Sequence, residues 1–303
     1  MSKTIKLKAV VIIAALATLM FLSCSSDDST PTSTDDDGGG GTGGGDVSMI
    51  IDHTCCDISA VPRTAIQGAI DNLHIAYGHT SHGSQLTTGM DGLAAFLGDD
   101  LYKYSNGGAD GTLDLHDYAF NSYGAYDLGS ATWPAATRSY LDANPDVNVV
   151  IWSWCGQVST MDTPYLDAYL GAMNQLEIDY PGVSFVYMTG HLDGSGESGN
   201  LHVRNEQIRL FCEANDKILY DFADIESYDP DGAYYLDMAA NDACEYDSDS
   251  NGSYDSNWAI NWQNANDGEW YSCTSAHSQP LNANRKAYAA WHLWARLGGW
   301  DGD

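Results

Sequence analysis

The chain has 303 residues, with 42 acidic side chains against 12 basic ones and a formal net charge of −30. A surface of this sign repels polyanions, so nucleic acid and anionic lipid headgroups are poor partners. With 44% hydrophobic residues the chain still has ample material for a buried core.

Residues 1–23 place Lys3, Lys6 and Lys8 before an apolar run, 9–22, that is too short and wrongly flanked for a membrane span. The segment reads as a secretory signal. It ends in Phe21-Leu22-Ser23-Cys24, which resembles the lipobox of bacterial lipoproteins. That resemblance implies cleavage before Cys24, lipidation of its thiol and export to the cell envelope, at the outer membrane or cell surface. Residues 24–46 are Ser, Thr, Asp and Gly with a single Pro, a composition that buries nothing and suits a flexible tether. The working domain is then 47–303. Beyond the anchor, six cysteines remain, an even number suited to disulfides in an oxidising compartment. Cys244 with Cys273 is the preferred pair, because it would staple the base of an irregular insert. Cys155 reads as structural on the same ground. Zinc-type C-x-x-C spacing is absent.

From Leu73 onward, short apolar runs alternate with amphipathic stretches, the pattern of a parallel sheet covered by helices. Strands are predicted at 73–77, 148–152, 183–188 and 217–221. Helices are predicted through Leu86, Met90, Leu93 and Leu97; from Thr132-x-Pro134 to Leu141; through Leu166, Tyr169, Leu170, Met173 and Leu176; over 201–214; and from Ala287 to Leu297, ended by Gly298-Gly299. The predicted fold is a three-layer α/β/α sandwich with a central, mostly parallel sheet of flavodoxin-like type. An Asp/Asn-rich insert, about 229–274, precedes the last helix.

Open parallel sheets place their sites at the carboxyl ends of strands. Those ends carry His79-Thr80-Ser81-His82-Gly83, Cys155-Gly156-Gln157 and His191-Leu192-Asp193, and the final helix is preceded by Ser275-Ala276-His277. A serine at a strand-to-helix turn exposes its hydroxyl near the positive end of a helix, and a histidine on a neighbouring loop takes its proton. Ser81 and His277 meet those requirements. On these residues, with Pro280, Leu281 and Asn282 after the histidine, the chain resembles the SGNH, or GDSL-like, hydrolases over most of 70–300. The resemblance implies a serine esterase with Ser81 as nucleophile, His277 as base, and Gly124 and Gln157 as oxyanion donors. It also implies an acid three residues before the histidine, where this chain has Thr274, so Asp193 or Asp224 must serve or the centre is a Ser-His dyad. His79, His82 and His191 are candidate substrate-binding residues. The implied substrate is an acylated carbohydrate or another small ester, and catalysis requires no cofactor.

Two other readings are open. His79-x-x-His82 with His191-x-Asp193 offers ligands for a metal-dependent hydrolase. The missing acid at 274 and the missing Asn near 157 suit a non-catalytic glycan-binding or adhesion lipoprotein on a degenerate hydrolase fold. Within the insert, Asp247-x-Asp249-x-Asn251-Gly252-x-x-Asp255 has the acidic spacing and central Gly of a calcium loop, with Trp258 where an EF-hand has its bidentate Glu. Trp258, Trp262, Trp270 and Tyr271 nearby could stack on sugar rings or fill a core.

Overall fold

The computed structural model describes residues 48–302. The signal segment, Cys24 and the whole tether lie outside the described residues. In chain order the elements are β1 Met49–Ile51, α1 Arg63–Asn72, β2 His74–Gly78, α2 Ser84–Leu97, β3 Tyr104–Ser105, β4 Leu113–His116, α3 Trp133–Ala143 and β5 Val149–Trp152. They continue with α4 Thr163–Asp179, β6 Ser184–Met188, α5 Asn200–Ala214, β7 Ile218–Tyr220, α6 Phe222–Ser227, β8 Glu245–Tyr246, β9 Ser256–Asn257, α7 Trp258–Ala265 and α8 Pro280–Leu297.

Seven strands form one sheet in the order β1-β7-β6-β5-β2-β4-β3, every pairing parallel. Strand pleating explains how this sheet is covered on both faces, because successive side chains point to opposite sides. Ile75, Tyr77, Val149, Ile151, Val186, Met188 and Tyr220 enter one core with α1, α2 and α8. Ala76, Val150, Trp152, Phe185, Tyr187 and Leu219 enter the other with α3, α4 and α5. The molecule is the expected three-layer α/β/α sandwich.

The predicted strands lie within a residue of the observed ones and each predicted helix overlaps its counterpart, although α8 begins at Pro280, seven residues before the predicted Ala287. Elements missing from the sequence pattern are β1, α1, β3, β4 and α6, and within the insert β8, β9 and α7. Of these, β1 and β3 are only three and two residues long, and β4 has just Leu113 and Leu115 as its buried apolar pair. Strands that short carry too little periodicity to register.

One property of the sheet positions everything that follows. From β2 the chain builds outward to β4 and β3, whereas from β5 it builds the other way through β6 to β7. The crevice between the carboxyl ends of β2 and β5 is therefore a topological switch point, where open α/β sheets bind ligands.

Candidate active site

The loop after β2 is drawn tightly against the end of β5. A Cβ at Gly83 would sit 2.1 Å from Ser153 Oγ, so only glycine lets the 3-10 turn Ser81–Gly83 approach that closely. Tyr77 Oη donates to the Gly83 carbonyl at 2.8 Å and fixes the turn from below. Ser81 is left exposed at the head of the turn leading into α2, and His82 is buried behind it.

His82 is the centre of the site. Its Nε2 lies 2.8 Å from Asp242 Oδ2, and its Nδ1 lies 4.0 Å from Cys155 Sγ, in the loop after β5. Its ring stacks on His191 at 3.6 Å with the planes 9° apart, and His277 stacks at 4.5 Å. Three imidazoles, from the loops after β2 and β6 and before α8, thus gather in one place. His277 adopts a left-handed backbone conformation, φ 62°, uncommon for a residue with a side chain. Burial pushes His82 below its ordinary pKa, against the pull of Asp242. Asp242 is held below the usual carboxylate range because, although burial opposes it, the His82 hydrogen bond favours the charged form.

Asp242 lies in the insert, 160 residues from its partner. An antiparallel bridge between Asp193 and Asn241 pins the insert to the His191 loop and delivers the carboxylate. Asp193 itself faces its own turn, accepting from Ser195 N at 2.9 Å and Oγ at 2.5 Å. Asp224 accepts from His53 N at 2.9 Å and lies 2.5 Å from His53 Nδ1. Neither proposed acid contacts His277 among the described residues. His79 is fully buried, 2.6 Å from Asp117 Oδ1 and packed between Tyr77 and Tyr118, apart from the three-ring stack.

The two proposed oxyanion donors are already engaged. Gly124 N–H donates to the Asn121 carbonyl at 3.2 Å, closing its own turn at φ 80°. Gln157 Nε2 donates to Asp127 Oδ1 at 3.3 Å while its Oε1 accepts from Cys155 N at 2.8 Å. Asp127, which the sequence reading leaves out, also accepts from Thr80 Oγ1 at 2.6 Å and Gly129 N at 2.8 Å, so it ties the β2 and β5 loops together.

A buried ionic network stands behind the stack. Lys286 on α8 is fully buried, 2.5 Å from Glu226 Oε1 on α6, and also donates to Gln85 Oε1 on α2. Gln85 Nε2 donates to the carbonyl of Ala276, next to His277, and Glu226 Oε2 accepts from Leu192 N, next to His191. The loops that carry His191 and His277, and the helix that follows His82, are therefore clamped to one buried charge pair.

All six cysteines among the described residues are free thiols. Of the pair expected to be joined, Cys244 Sγ lies 3.4 Å from Ser278 Oγ, and Cys273 Sγ donates to the Pro280 carbonyl. In the acidic loop, Asp247 accepts from Asn251 and Gly252 N–H, Asp249 accepts from Asn251 N–H, and Asp255 accepts from Ser248. Of the insert aromatics, Trp258 and Tyr271 are core, whereas Trp262 and Trp270 are half-buried. Trp262 lines a cavity of about 490 Å³ with Tyr288, Arg285 and His53; no member of the histidine stack lines it.

The chain matches no protein-family model and no curated protein.

Proposed function

We propose that the protein is a serine ester hydrolase that removes acetyl or similar acyl groups from carbohydrate, exported and tethered to the cell envelope through lipid on Cys24. The observation that carries the reading is the 4.5 Å stacking of His277 on His82, the residue following Ser81. It brings the last block of the chain to the serine turn. Ser81 Oγ passes its proton to His277 and attacks the ester carbonyl; the leaving alkoxide takes the proton back, and water releases the acyl group by the reverse route. With Asp193 and Asp224 turned to other partners, the centre is a dyad. With Gly124 and Gln157 engaged elsewhere, the backbone at Ser81 and the start of α2 are the remaining oxyanion stabilisers. Calcium in the 247–255 loop is proposed as a structural ion only.

The test is active-site labelling of the purified chain with a fluorophosphonate, alongside hydrolysis of an activated acetyl ester. Ser81→Ala should abolish the label and lower turnover by ~10³-fold or more. A Ser81→Ala protein that still labels, or that turns over like the parent, sinks the reading.

A second reading has its own observation. Asp242, His82 and Cys155 stand in the order acid, imidazole, thiol, which favours a cysteine nucleophile. It expects iodoacetamide to inactivate the parent through Cys155. Undiminished esterase activity in Cys155→Ala removes it.

A further inference from the structure

We propose that His82, His191 and Asp242 form a binding site for one divalent transition-metal ion of the zinc class, held by Nε2 of both histidines and a carboxylate oxygen. The proposal is compatible with Ser81 as the nucleophile and excludes the Cys155 reading, because it takes His82 and Asp242 as ligands.

The geometry points there through the hydrogen positions. His191 Nδ1 lies 2.8 Å from the Leu192 carbonyl, which only accepts, so Nδ1 carries the proton and the lone pair is on Nε2. That Nε2 is buried and has no hydrogen-bond partner among the described residues. Leaving a buried acceptor unmatched is unfavourable, and a metal ion satisfies it. Metal-bound histidines ordinarily donate their second N–H to a carbonyl or similar acceptor, as His191 does here. His82 differs, because its Nε2 is already hydrogen-bonded to Asp242 at 2.8 Å while its Nδ1 faces the Cys155 sulfur. Metal binding would move that proton to Nδ1 and free the Nε2 lone pair beside the Asp242 carboxylate. One ligand atom from each of the three residues lies within 4.8 Å of the others.

The donor set selects the ion. Two neutral imidazoles and one carboxylate suit zinc or a neighbouring first-row metal, whereas calcium and magnesium take oxygen donors. Three protein ligands leave a position for water or a substrate oxygen, the composition of catalytic zinc centres.

The experiment is titration of the purified, chelator-stripped full chain with Co²⁺, read by its visible d–d bands, and with Zn²⁺, read by calorimetry. Excess Ca²⁺ is kept present to occupy surface carboxylates. The parent should bind one equivalent of either ion. His191→Ala and Asp242→Asn should each weaken binding by about 100-fold or more, beyond the loss typical of second-shell changes. Circular dichroism melts of both variants check that they are folded. His53→Ala is the control for the other convergent group, Asp52, His53 and Asp224, and should bind as the parent does, as should Ser81→Ala. Absence of stoichiometric binding in the parent overturns the site. So does parent-like affinity in His191→Ala and Asp242→Asn, or loss confined to His53→Ala. Loss of esterase activity in Ser81→Ala with metal binding intact separates this site from the proposed nucleophile.

Discussion

His82 has three ring or charge partners, and two of them, His191 and Asp242, act on its proton affinity. Burial lowers its pKa from the ordinary 6.5, the neighbouring His191 works in the same direction, and Asp242 opposes both without prevailing. The unfolded chain therefore takes up a proton near 6.5 that the folded chain resists, so this contribution to stability is intact above that pH and is lost as pH falls below it. Asp242 has the same sign lower down: its depressed pKa contributes stability above the usual carboxylate value and loses it on further acidification. The melting midpoint should fall between about pH 7 and pH 5, where histidines titrate, and His82→Gln should flatten that slope in part. His116 and His292 are also lowered by burial and account for a remaining share. A slope unchanged in His82→Gln would count against this account.

Helices α2 and α8 flank the site, and their spacing is set by a single residue. A Cβ at Gly89 would lie 2.1 Å from the Ala283 carbonyl oxygen and 3.0 Å from Ala287 Cβ. Gly89→Ala must push the helices apart, and overpacking of this kind typically costs about 1–3 kcal/mol. Urea titration should show that loss with the m-value unchanged; Gly171→Ala on α4, where nothing lies within 4 Å of the new Cβ, should instead be neutral or slightly stabilising. The β8–β9 hairpin poses a separate question at this scale. If its loop holds calcium, EDTA lowers the melting midpoint, and a midpoint indifferent to EDTA removes the ion.

At the scale of the whole molecule, Lys286 and Glu226 link α2, α6, α8 and two site loops through one pair, each side chain at most 1% exposed. Burial depresses the lysine pKa while Glu226 supports its charge. Removing one partner leaves the other charge buried and uncompensated, at a cost of about 3–5 kcal/mol. Lys286→Met should show that loss by denaturant titration, and Lys286→Met with Glu226→Gln should lose less than the two single changes added. Both singles should also broaden the NMR signals of His191 and His277, because the clamp holds their loops. Full additivity would indicate that the pair is not coupled.

Much of this was legible in the chain itself. Apolar runs of four or five residues located β2, β5 and β6, amphipathic spacing located α2, α4 and α8, and histidines at strand ends marked the edge where chemistry belongs. Such signals are local, and helix and strand periodicity is a local property. The stacking of His82 between His191 and His277, and the arrival of Asp242, were decided by tertiary structure alone. The insert has no regular periodicity, and its carboxylate reaches His82 only because strand order reverses between β2 and β5 and the Asp193–Asn241 bridge pins the loops together. Asp193 and Asp224 matched the expected chemistry in type, yet a short turn and a neighbouring histidine took them first. Residue identity and local pattern determined the layers and the edge; which carboxylate meets which imidazole depended on long-range packing that spacing along the chain does not encode.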